Sequence, residues 1–267
     1  MNWKQTLFWS FSAAAIFYYF LLFGVFVFVG QEEMQLFIPE WWYIREFLFQ
    51  PGGFCAVAGQ WIIQYYRQPM SAVVLHTVLL VGCGFMVYRI LRCFSDKTYL
   101  LFLSLLPVLY LVKMSIHGEY LVDGTVGVVL MLLALSVSLK VRRAGSIAGY
   151  GIASTLFLCG LTGLLSVCYA FLYTLLALLR YKTSRQRLAA SACLIPALFI
   201  YLFSGWLGIP VPLSDGWMPE AYLEIQRLPH YYMYRVWTFF TLSIVGVALF
   251  ARFVPVIGEK SKWMDRV

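Results

Sequence analysis

From Ile147 to Leu179 the chain runs for 33 residues without one charged side chain. Drawn as a single helix, this stretch would measure about 50 Å, well past the roughly 30 Å hydrocarbon core of a bilayer. It therefore has to fold back on itself. The spacing predicts a hairpin of two short helices, turning near "CGLTG" at 159–163 and returning the chain to the side marked by the flanking basic residues. The rest of the chain obeys the same constraint. It is 62% hydrophobic and only 12% charged, whereas in soluble domains about a quarter of residues are charged. These proportions predict an all-α, polytopic transmembrane helical bundle, a single integral membrane domain over residues 1–267. There is no internal repeat and no room for a soluble catalytic domain.

Eight apolar segments can be drawn, at 7–29, 70–91, 99–113, 121–139, 147–163, 165–179, 188–207 and 236–255. If Lys4 marks a cytoplasmic start, 15 of the 20 Lys and Arg fall on the cytoplasmic side and nine of the 12 acids on the other. That asymmetry obeys the positive-inside rule and places both termini in the cytoplasm. The net charge of +8 is thus a topology signal and not a nucleic-acid footprint. The first segment is too long for a signal-peptide core and is expected to remain as an anchor. The six cysteines contain no CxxC pair and fall mostly in apolar runs, so neither a disulfide framework nor a zinc site is expected. Segment 99–113 is only about 22 Å long as a helix. A helix that short implies a recess where "KMSIHGEYLVDG" sits below the membrane surface, beside water or protein.

Two non-cytoplasmic loops are large enough to carry a site. In the first, 30–69, "EWWYIREFLF" and "GFCAVAGQWIIQYYRQ" read as two amphipathic helices lying in the interface, the second with Gln60, Gln64 and Arg67 as a polar stripe. Pro51, Gly52 and Gly53 supply the turn between them. The second loop, 208–235, carries Arg227, His230 and Arg235, which suit a lipid phosphate at headgroup level.

The candidate catalytic residues are Glu32 and Glu33, at the end of the first span. Paired carboxylates hold a divalent cation or share a proton, and one at a membrane boundary can serve as a general base. The plainer account is that acids simply end a span and stay solvated. His117, Glu119 and Asp123 are expected to line the recess as substrate-binding groups, although their spacing is no zinc signature and a hydrated turn is the plainer account. His76, alone inside the second span, is expected to be a packed or hydrogen-bonded residue. No Walker loop, GxSxG, HExxH or CxxCH occurs. The centres of the segments are nearly free of ionisable groups, which disfavours a proton-coupled transporter but not a lipid flippase.

The stretch "QEEMQLFIPEWWYIREFLFQPGGFCAVAGQWIIQYY" resembles the N-terminal signature of an uncharacterised family of bacterial polytopic inner-membrane proteins, domain of unknown function 6057. Glu33, Gln35, Leu36, Phe37, Pro51, Gly52, Gly53, Gln64, Tyr65 and Tyr66 carry the likeness, which is close over residues 5–90 and elsewhere only a pattern of spans. It implies a multi-pass protein of the bacterial inner membrane, and it implies no activity. Longer members of the family continue beyond the last span. A weaker architectural similarity is to multi-span glycosyltransferases that use polyprenyl-linked sugars. It implies an acid after the first span, here Glu32 or Glu33, as catalytic base or metal ligand. The expected function is therefore the handling of a lipid or lipid-linked glycan in cell-envelope assembly. Its partners would be membrane lipids and a polyprenyl-linked sugar, and no nucleic acid. The alternatives are a non-catalytic scaffold that docks a membrane or periplasmic protein, and a lipid flippase or carrier.

Overall fold

The computed structural model describes residues 3–34, 37–95, 97–117, 120–203 and 236–253, with the backbone alone at Glu33 and Met34. These residues form α-helices joined by short turns, and no strand occurs among them. In chain order the helices are α1 (Trp3–Phe23), α2 (Val25–Met34), α3 (Trp41–Leu48), α4 (Gly53–Ile63), α5 (Pro69–Leu91), α6 (Leu100–Met114), α7 (Val122–Ser138), α8 (Ala144–Thr162), α9 (Leu165–Arg180), α10 (Ser184–Ser191) and α11 (Leu194–Leu202), followed by α12 (Val236–Phe253).

Four of them, α1, α5, α8 and α12, are long and apolar enough to cross a membrane, and α6, α7 and α9 are shorter apolar helices. Their faces explain why. In α1 the buried residues Trp9, Ser12, Ile16 and Phe20 recur at helical spacing and face the protein. Leu7, Phe11, Tyr18 and Leu22, on its other faces, are exposed and equally apolar. A helix that is hydrophobic all round belongs in a core or in lipid.

Helix α5 is the central post. It packs against α1, α2, α6 and α7, and α7 in turn joins it to α4, α8 and α9. Gln5 on α1 donates to the Tyr88 hydroxyl near the end of α5 at 2.9 Å. Tyr110 on α6 lies 4.2 Å from Phe239 on α12, and Tyr99 lies 6.3 Å from Phe250, so α12 runs antiparallel to α6. The bundle therefore has a basic end, where α1 and α8 start and α5, α9 and α12 finish, and an opposite end where α2 finishes and α5 and α7 begin.

The expected hairpin is present: α8 and α9 meet at Gly163, inside the predicted turn. The expected eighth span count is not reproduced among the described residues. Segment 188–207 is not one helix but α10 and α11, of 8 and 9 residues. Pro196, in the first turn of α11, has no N–H to reach back to Ala192 and its ring crowds that carbonyl, which favours the break there. Cys193, at the break, is buried on α9, its Sγ 3.4 Å from Thr174 Oγ1. The first span is also longer and less regular than expected. It is interrupted at Gly24, although Gly24 N–H still donates to Phe20 O and Phe28 N–H to Gly24 O.

Candidate functional site

At the end opposite the basic one, the segment after α2 does not lie over the bundle but enters it. Helix α3 ends at Leu48, and Gln50 N–H donates to Phe47 O and Gly53 N–H to Gln50 O, each at 2.9 Å, closing a tight elbow. Gly52 takes φ +84, the left-handed region that favours glycine. Gly163, in the α8–α9 turn, takes φ +63 with ψ −130. The two glycines stack backbone on backbone. Gly52 N–H donates to Gly160 O at 3.0 Å, and a Cβ on Gly52 would stand 3.3 Å from Gly163 N. A Cβ on Gly53 would overlap the Phe47 carbonyl. The "PGG" turn is thus a plug that closes the α8–α9 hairpin from above.

From the elbow, α4 climbs between α7 and α8, burying Cys55, Gly59 and Ile63. One face of the helix is thus packed into the bundle, while Phe54 and Trp61 on other faces stay exposed. Gln64 and Arg67, three residues apart in the 3-10 turn Gln64–Arg67, share a face and are both exposed, whereas Gln60 is half-buried. Gln60 accepts a hydrogen bond from Tyr43 of α3 at 3.1 Å, and Gln64 donates to Phe37 O at 3.4 Å. Helix α3 buries no residue, and Trp41 and Trp42 are exposed.

Seating α4 against α7 brings Gly59 onto Asp123, in the first turn of α7. Asp123 is partly buried, and its Oδ1 accepts the Gly124 N–H at 2.7 Å. A carboxylate suits that position, because the start of a helix is its positive pole. Burial pushes the neighbouring Cys55 thiol up to about 12, and the Asp123 charge adds in the same direction. Cys55 is therefore a packing residue and not a nucleophile.

A set of buried polar groups lies among α2, α5 and the 3-10 turn that follows α4. Gln31 on α2 is fully buried and donates to Tyr120 O at 3.0 Å. Tyr120, also buried, turns its hydroxyl inward to accept from Thr125 Oγ1 at 3.2 Å. Tyr66 and His76 Nε2 are 2.5 Å apart, and the Phe28 ring stacks on the imidazole at 4.2 Å. Two atoms of this set have no hydrogen-bond partner among the described residues, Gln31 Oε1 and His76 Nδ1.

Of the predicted site residues, Glu32 is half-buried in the last turn of α2, His117 is exposed just past α6, and Asp123 is drawn under α4. The side chain of Glu33, and Glu119, Arg227, His230 and Arg235, lie outside the described residues. Among the described residues no group of three or more His, Cys, Asp and Glu stands ready to hold a metal ion. His76 is the packed, hydrogen-bonded residue expected. The sequence signal for Gln31 is its helical face: Phe20, Phe28 and Gln31 fall on one side, and all three are buried.

These apolar helices, with their inserted elbow, define a class compatible with residence in a membrane. Within that class the chain belongs to the family of unknown function DUF6057, whose profile matches residues 1–265. The kinship thus runs far beyond the N-terminal signature. No curated protein and no solved structure matches the chain.

Proposed function

We propose that this is a multi-pass protein of the bacterial inner membrane, both termini cytoplasmic, that handles a lipid or lipid-linked glycan at the elbow end of the bundle. One observation carries the reading: α2, α5 and the 3-10 turn after α4 enclose a buried polar set that keeps unused hydrogen-bonding capacity at Gln31 Oε1 and His76 Nδ1. A buried polar atom without a partner costs about 1–3 kcal/mol, and that cost is relieved when a polar group arrives. A ligand with an apolar tail and a polar head matches such a place, since apolar helix faces surround it. Where the handling is catalytic, the reaction is glycosyl transfer, with Glu32 or Glu33 as base or as ligand to a divalent cation. His117, Glu119 and Asp123 would then border the acceptor, with Arg227, His230 and Arg235 on phosphate.

A second reading has its own support. Trp41, Trp42 and Phe49 are exposed together on and just after α3, a surface suited to a docked membrane or periplasmic protein. Mild detergent extraction followed by mass spectrometry separates the two, applied to wild type, Gln31→Leu, Glu33→Gln and the Trp41→Ala/Trp42→Ala pair. Lipid handling requires a retained polyprenyl phosphate or glycolipid whose occupancy or turnover changes in the Gln31 and Glu33 variants. A stoichiometric protein lost only in the tryptophan pair, with no selective lipid, would replace lipid handling by docking.

A further inference from the structure

We propose that the basic end carries a fixed platform for the headgroup of an anionic membrane lipid, built where the α7–α8 connection meets the α9–α10 connection. The inference rests on the membrane placement above but not on any chemistry at the elbow. Residues some forty positions apart are stitched together there. Tyr181 donates its hydroxyl to Val141 O at 2.7 Å, and Gln186 Nε2 donates to Arg142 O at 2.7 Å. Thr183 donates to Gln186 Oε1 at 2.8 Å, fixing that amide, and Arg187 Nε donates to Tyr181 O at 2.8 Å. The two connections therefore form one surface with set spacing, on which Lys140, Arg142, Arg143, Lys182 and Arg185 are all exposed.

Ordinary topology charges need only lie on the correct side of a membrane. These go further in three respects. The chain supplies no carboxylate between Asp123 and Asp215, while it places seven Lys and Arg from Lys140 to Arg187. Their charge has no counterpart within its own stretch of sequence. Arg180, the last residue of α9, has a buried Nη1 with no hydrogen-bond partner among the described residues, a guanidinium donor held away from water. Both α8 and α10 also begin on this surface without a side-chain cap, so first-turn N–H groups point the same way. Arginine forks match phosphate oxygens in pairs, and fixed spacing turns that match into selectivity.

The flank decides in favour of a lipid over a free phosphate. Leu188 follows Arg185 by three residues on α10, and Ile195, Leu198 and Phe199 on α11 are all exposed. Cations beside an uncovered aliphatic face complement a headgroup with acyl chains attached.

The test uses the full chain in mild detergent, with native mass spectrometry to read retained lipid during titration with phosphatidylglycerol, phosphatidylcholine or inorganic phosphate alone. Wild type should retain phosphatidylglycerol selectively. The Arg142→Gln/Arg143→Gln/Arg185→Gln variant should lose about a hundredfold in apparent affinity, at roughly fivefold for each charge near a headgroup. The Tyr181→Phe/Gln186→Ala variant, which removes stitches and no charge, should lose selectivity over phosphatidylcholine. A control removing Lys4, Arg89 and Lys97 takes the same charge from the same end. Equal loss in control and platform variants would reduce the effect to net charge and overturn the proposal. So would retained selectivity in the stitch variant, or inorganic phosphate binding as tightly as the lipid.

Discussion

Gly59→Ala probes whether the first loop is seated in the bundle or merely laid across it. The added Cβ would stand 2.7 Å from Asp123 Cβ and 2.9 Å from its Cα and N. Carbon atoms attract best from roughly 3.5 Å outwards, so α4 must retreat from α7 by about 0.8 Å. The obstacle is mostly backbone and cannot rotate away. Overpacking of this kind costs about 1–3 kcal/mol, while alanine in a helix interior returns about 1 kcal/mol over glycine. The net effect is a loss of about 0–2 kcal/mol. Gly149→Ala on α8 is the matched control, since nothing lies within 4 Å of its added Cβ, and it should gain about 1 kcal/mol. Thermal unfolding in detergent, followed by tryptophan fluorescence, should thus separate the two variants by about 1–3 kcal/mol. If Gly59→Ala melts at or above Gly149→Ala, α4 does not pack on α7 as described, and the re-entrant elbow is wrong.

Tyr66→Phe leaves both ring nitrogens of His76 without a partner and should destabilise the fold by about 1–3 kcal/mol, whereas Tyr66→Phe with His76→Phe should recover part of that loss. A double-mutant melting cycle reads the difference, and additive losses would deny the pairing. Gly163→Ala forces a side chain into a backbone conformation with φ +63 and ψ −130 and should cost about 1–3 kcal/mol, measured in the same melting assay. Cys55, with its thiol pushed up to about 12, carries almost no thiolate at pH 8 and should resist alkylation until denatured. Exposed Cys93 should react at once; simultaneous labelling would contradict the burial. With Cys93 replaced, cysteines introduced at positions 33 and 185 should label from opposite faces of a sealed vesicle. Labelling from one face would overturn the topology.

Much of the helix pattern was legible because charge leaves few options. The uncharged run from Ile147 to Leu179 had to fold back, and the turn falls at Gly163, as the glycines and the flanking arginines require. Pro51, Gly52 and Gly53 announced an elbow for a local reason, the need for positive φ. The depth of that elbow was not legible, because it depends on Gly52 meeting Gly163 and on Gly59 meeting Asp123, pairings between distant parts of the chain. Residues Gln60, Gln64 and Arg67 have the spacing of a surface stripe, and Gln64 and Arg67 are exposed, but Gln60 is half-buried and bonded to Tyr43 of α3. At 188–207 hydropathy lies within the range of the candidate spans, and the break falls beside one residue, Pro196, that an apolar average does not register. Among the candidate acids, position could be read but burial could not. Glu32 and Asp123 both sit near helix ends, and only packing draws Asp123 under α4.

The contact between Gly52 and Gly160 also sets an order of events during synthesis. The two residues are separated by about a hundred positions, and at translation speeds of roughly 5–20 residues per second the second emerges some 5–20 s after the first. Throughout that interval the first loop has no hairpin to plug, and Gly52 has no carbonyl to receive its N–H. Helix α3 buries no residue of its own and so does not wait on the hairpin. Seating of the elbow then becomes a late event that reports completion of the α8–α9 hairpin. A chain arrested before Gly163 would leave α4 exposed and open to quality-control proteases.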